Sequence, residues 1–177
     1  MKKMISRRNF LAAAGVVAAA GVLTACGGSS NGTAASASTA ASTASGDTIK
    51  VGVLGPLTGD VSVYGQAVVN GATLYLKQVN EKGGINGKQL EIIAMDEQGD
   101  ATQAVTCFTK MCDQGITALV GDVTTTPTLA VAAESADYNM PMVTASATAE
   151  AVTYDAETDT VNANVFRATF TDPFQGI

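Results

Sequence analysis

Short apolar runs alternate with longer amphipathic stretches from residue 47 to residue 177. Ile49 to Leu54 (IKVGVL) is rich in apolar, β-branched side chains and closes at Gly55-Pro56, which predicts a buried strand. Apolar or small residues then recur at Val68, Gly71, Ala72, Tyr75 and Val79. That spacing is one face of a helix, and Gly83-Gly84 ends it. Gln89 to Met95 reads as a second strand, Ala101 to Asp113 as a second helix, and Ile116 to Val120 as a third strand. Pro127 opens a third helix in its first turn, and Pro141 precedes a fourth strand, Met142 to Thr144.

Strand and helix alternating in this order predict an α/β fold, a three-layer parallel sheet flanked by helices and joined by right-handed crossovers. Ligands of such sheets bind beyond the carboxyl ends of the strands. The loops that matter are therefore 55–64, 96–100, 121–127 and 144–149.

Upstream of this pattern the character of the chain changes. Met1 to Arg8 carries Lys2, Lys3, Arg7 and Arg8, and Phe10 to Ala25 is an apolar run dense in Ala, Val and Gly. These are the two parts of an export signal, and the run is shorter than the roughly 20 residues of a spanning helix. A permanent membrane anchor is the competing reading. Ser6-Arg7-Arg8-Asn9-Phe10-Leu11 resembles a twin-arginine signal, although an arginine pair also serves an ordinary basic leader. Leu23-Thr24-Ala25-Cys26 resembles a bacterial lipobox, which makes residues 1–25 a lipoprotein signal peptide and Cys26 the site of a diacylglyceryl group, two acyl chains being what stable anchoring needs. Residues 26–46 are almost wholly Gly, Ser, Ala and Thr and read as a flexible tether.

Charge and composition narrow the functions open to the rest. The formal charge of −6 conceals an asymmetry: 16 acids face only 6 bases after Cys26. Nucleic-acid binding requires the opposite sign, so no nucleic-acid partner is expected. The chain contains no histidine, which removes His-based triads and histidine zinc ligands. There is no G-x-G-x-x-G, no Walker A sequence and no G-x-S-x-G elbow, so neither a cofactor nor an enzyme activity is implied. Gly52, Gly55 and Gly59 do not have the dinucleotide spacing. Cys107 and Cys112 are five apart on a predicted helix, a geometry that precludes a disulfide without unwinding it, and they are expected to be reduced and partly buried. Asp96, Glu97 and Asp100 form an acidic loop that lacks the alternating ligands of an EF-hand. Solvated charge, with Asp100 capping the following helix, is the expectation.

Four segments together carry a resemblance: Ile49–Gly65 (IKVGVLGPLTGDVSVYG), Gly71–Gly87 (GATLYLKQVNEKGGING), Val120–Pro127 (VGDVTTTP) and Val143–Thr148 (VTASAT). In order and spacing they are similar to the leucine/isoleucine/valine-binding proteins of ABC importers, the type I periplasmic binding proteins. The resemblance implies two α/β lobes closing on one ligand, with residues 47–168 as the first lobe. It implies that Thr125 receives an amino acid's α-carboxylate and that the Ser146 carbonyl accepts from the α-ammonium. Thr148 would serve both charged groups, Ala147 between the two would be a ligand-binding residue of the same segment, and Tyr64 would lie against the ligand side chain. Each residue also has a plainer reading. Thr125 or Thr126 suits an N-cap before Pro127, Ser146 and Thr148 suit turn chemistry, and Tyr64 suits a loop aromatic over the core edge.

The implied protein is an exported receptor, anchored through Cys26 to the outer face of the cytoplasmic membrane. It would deliver branched-chain or related aliphatic amino acids to an ABC permease and its ATPase. Cargo of amides, urea or small carboxylates is the alternative within the fold, and a ligand-sensing module is the alternative class. Thr124 stands where some relatives carry a disulfide cysteine. Residues 169–177 resemble the start of the crossing to a second lobe, so weak binding, millimolar or less, is expected of these residues alone.

Overall fold

The computed structural model describes residues 48–176. The export signal, Cys26 and the tether lie outside the described residues.

Strand β1 (Ile49–Gly55) leads into helix α1 (Ser62–Glu81), and β2 (Leu90–Asp96) into α2 (Ala101–Asp113). Next come β3 (Ala118–Val120), α3 (Thr125–Asp137), β4 (Met142–Thr144) and a single 3₁₀ turn (Glu150–Val152). A small antiparallel ribbon, β5 (Tyr154–Asp155) with β6 (Thr160–Val161), precedes β7 (Val165–Arg167) and the short α4 (Asp172–Gln175). The main sheet has five parallel strands in the order β2-β1-β3-β4-β7. The expected fold class is therefore the observed one. The four strands and three helices read from the sequence are all present; the second helix and the fourth strand have the expected ends, and the other elements differ by one or more residues. Two corrections concern helix starts: α3 begins at Thr125, so Pro127 is its third residue rather than its first, and α1 begins at Ser62, which puts Tyr64 in a helix rather than a loop. β7 was not foreseen; its three residues are too few to show a period.

Right-handed crossovers that run first outward from β1 to β2 and then back across it put α1 on one face and α2 and α3 on the other. The α2/α3 face holds the core: Leu54, Leu119, Met142 and Val165 from the sheet meet Phe108, Met111 and Val131 from the helices. Tyr138 closes it edge-on to Phe108, with ring centroids 5.5 Å apart. Gly52 makes room for this packing, because Met111, Ile116 and Leu119 occupy the space a side chain would need. On the other face α1 covers only β1 and β2. The cross-strand row Val120, Val143 and Phe166 continues past it, leaving Val143 39% and Phe166 55% exposed. An apolar groove of about 430 Å³ lies there between Val68 and Tyr75 of α1 and Val120 of β3.

Candidate ligand-binding site

The loops after β1, β3 and β4 meet at the carboxyl end of the sheet. The first brings Tyr64, because α1 starts against the loop that leaves β1. A Cβ on Gly65 would overlap the Pro56 carbonyl oxygen, so only glycine permits the approach. The second brings Val123, Thr124 and Thr125. Gly121 turns the chain with φ +135, where a side chain would strike the Leu54 carbonyl. The third brings Ser146, Ala147 and Thr148. Its hydrogen bonds tie it to the second loop: Ser146 Oγ donates to the Val123 carbonyl at 2.7 Å, and Thr144 Oγ1 donates to the Asp122 carbonyl at 2.7 Å. Thr144 Oγ1 in turn accepts the Ala147 N–H at 3.1 Å.

Tyr64, Val123, Thr124, Thr125, Ser146 and Thr148 line one concavity of about 290 Å³. Tyr64, Thr125, Ser146 and Thr148 were singled out in the sequence, and the fold brings them together. Ala147 is not among the lining residues: its side chain is buried and its carbonyl accepts from Arg167 Nη1 at 2.9 Å. Val123 and Thr124 were missed as lining residues, although Thr124 adjoins Thr125 in a run of three threonines. The larger apolar groove beside α1 offers no polar group to orient a charged ligand and is the uncovered part of the sheet face.

The chemistry of the concavity comes from backbone ends and hydroxyls. Thr124, not Thr125 or Thr126, is the N-cap of α3, and its side chain makes no capping bond. Pro127 has no N–H, and the amides of Thr125 and Thr126 have no protein partner among the described residues. The helix end therefore presents unspent donors and a partial positive charge, which suit an anion. The Ser146 carbonyl accepts nothing from the protein among the described residues and is available to a cation. No Lys or Arg among the described residues lines the concavity, so a ligand carrying both charges would be neutralised by dipoles.

The acidic loop after β2 departs from expectation. Asp100 does cap α2, accepting the Gln103 N–H at 2.8 Å. Asp96 is held by the Leu57 amide at 2.8 Å and the Thr58 hydroxyl at 2.6 Å. Burial works to raise its pKa, but these bonds outweigh that and hold it below the ordinary carboxylate value. Glu97 is not solvated: it is fully buried, as is Asp122. Burial raises the Glu97 carboxyl and pushes Asp122 up to about 7. Sequence reasoning missed this because Asp122 and Glu97 are separated by a helix and a strand. Cys107 and Cys112 are free thiols, both raised by burial, as expected of packed cysteines.

Comparison with known proteins places these features in a family. The family model "Periplasmic binding protein" matches residues 48–176, and the twin-arginine translocation signal matches residues 4–24. The chain is 38% identical over 107 residues to a leucine-, isoleucine-, valine-, threonine- and alanine-binding protein of Pseudomonas aeruginosa, covering 60% of this chain and 29% of that one. It is 34% identical over 110 residues to the Leu/Ile/Val-binding protein of Escherichia coli K12, covering 62% and 30%. Among solved structures it matches the branched-chain amino acid transporter substrate binding protein LivJ of Streptococcus pneumoniae, in complex with isoleucine, with TM-score 0.65 and 31% identity. That match covers 71% of this chain and 35% of LivJ. The chain thus spans about a third of the length of the proteins it matches. It carries a twin-arginine type export signal, and its parallel sheet belongs to the type I periplasmic binding protein family, whose members are solute-binding proteins.

Proposed function

We propose that this chain supplies one wall of an exported receptor for branched-chain or related aliphatic amino acids, feeding an ABC permease and its ATPase. The observation that carries the reading is the convergence of Thr125, Ser146, Thr148 and Tyr64, from three separate segments after β1, β3 and β4, on one concavity lined by no basic side chain among the described residues. The α3 amides and the Thr125 hydroxyl take the α-carboxylate, the Ser146 carbonyl takes the α-ammonium, and Thr148 serves both. Tyr64, 60% exposed on its own wall, lies against the aliphatic side chain. Cys26 carries the lipid that holds the receptor to the membrane. The relatives named for leucine, isoleucine and valine support the cargo.

One wall buries only part of a ligand, so its affinity is low. The test is a titration of the ¹⁵N-labelled full chain with leucine into the millimolar range, read by amide chemical shifts. Thr125, Thr126, Ser146 and Thr148 amides should shift together, and Thr125→Val should abolish the response. Acetamide, urea and benzoate serve as competing cargo. No shift with leucine, or a stronger one with those compounds, overturns the assignment.

A further inference from the structure

Two buried carboxyls at the carboxyl end of the sheet have no role in the reading above. Glu97 follows β2 and Asp122 follows β3, the strands on either side of β1. Both side chains are closed off from solvent, and both Glu97 carboxylate oxygens and Asp122 Oδ2 lack a hydrogen-bond partner among the described residues. The amides of Gly99 and Asp100 approach the Glu97 carboxylate closely enough to favour its charge. Neither makes an in-line bond to it, and the Asp100 N–H is spent on the Glu97 carbonyl at 3.0 Å. Among the described residues, Asp96 at the end of β2 also acts on Glu97, and the pair in turn acts on the Cys107 thiol of α2, which Lys110 faces as well. No titratable group of β1 or α3 acts on the pair. The two carboxyl side chains act on each other, and two buried carboxylates so placed do not both stay ionised; a proton between them satisfies one oxygen of each.

We propose that Glu97 and Asp122 share one proton, and that this proton positions the two hydroxyl turns of the binding concavity so that ligand affinity is lost when it leaves. The wiring runs through Asp122. Its Oδ1 accepts the Val123 N–H and its carbonyl accepts from Thr144 Oγ1. Thr144 Oγ1 fixes the Ala147 N–H, and Ser146 Oγ closes the circuit onto the Val123 carbonyl. At low pH the Asp122 carboxyl donates to the Glu97 carboxylate and holds this circuit in place. When the proton passes to water, two like charges face each other and Asp122 is driven from its seat. The turns bearing Thr125 and Thr148 then separate. Glu97 and Asp122 are positioning residues; neither touches the ligand.

The role in affinity rests on the amino-acid receptor reading, so the test has two arms. In the first, leucine affinity of the full chain is measured at about pH 6 and about pH 8. With Asp122 pushed up to about 7, the competent fraction falls to about a tenth at the higher pH, and the dissociation constant rises about tenfold. Glu97→Gln, whose amide donates permanently to Asp122, should bind with no pH dependence, and Asp122→Asn should do the same. Equal wild-type affinity at both pH values, or a slope retained in both variants, overturns the proposal. In the second arm, amide shifts of Val123, Thr125 and Ala147 are followed through the same pH range without ligand. A common midpoint near neutrality, absent in the variants, supports the shared proton even if leucine fails to bind, in which case only the receptor reading falls. Flat amide shifts in the wild type overturn the proposal whatever the ligand does.

Discussion

Raising the pH from about 4 to about 8 should destabilise this protein by about 4 kcal/mol through one buried site. Asp122 moves from the ordinary 3.8 to about 7 on folding, chiefly because burial withholds water from its charge. Each unit of that difference is worth about 1.4 kcal/mol, so about three units give the figure. The sign follows from proton counting. Between 3.8 and 7 the folded chain holds a proton that the unfolded chain has released, so stability is fully present below the lower value and is lost as pH rises through the upper one. Glu97 is raised as well and acts in the same direction, the two titrating as a pair. Asp96 and Asp155 are lowered, the first by the Thr58 hydroxyl and neighbouring amides acting against burial, the second by the Thr158 hydroxyl. Their contribution is present above the ordinary carboxylate value and lost as pH falls, so it bends only the acid limb. Against a total stability of about 5–15 kcal/mol for an ordinary domain, the loss is large. Urea denaturation followed by far-UV circular dichroism, at half-unit steps from about pH 4 to about pH 8, reads it directly. A midpoint that does not move across that range, or one that moves equally in Asp122→Asn, would refute the argument.

Gly65→Ala should cost about 1–3 kcal/mol, because the added methyl overlaps the Pro56 carbonyl and α1 must move to accommodate it. The same shift carries Tyr64 away from Thr125, so both the urea midpoint and the leucine-induced amide shifts should fall; a variant matching the wild type in both shows the contact to be slack. Cys26→Ser should abolish incorporation of labelled palmitate by expressing cells and release the exported chain from the membrane fraction. Retention of label in that variant places the lipid elsewhere.

The layer architecture is legible in the amino-acid sequence. Apolar runs and helical spacing record which side of each segment is buried, and that choice is local to the segment. The sequence also held the two hydroxyl turns, legible as Thr124-Thr125-Thr126-Pro127 and Ser146-Ala147-Thr148, although Ala147 proved to be support rather than lining. Tertiary structure alone decided the rest. Tyr64 joined those turns because Gly65 lets α1 begin against Pro56, a contact between main-chain atoms that no periodicity encodes. Glu97 reads as an exposed loop acid beside Asp96 and Asp100, and Asp122 as one more polar residue after a strand. Their burial and their meeting follow from the order β2-β1-β3, which sets the ends of two strands distant in the chain on either side of a third. A pattern of hydrophobic positions carries one bit per residue about inside and outside. It says nothing about which two interiors touch, and the charge of a buried acid depends on that neighbour.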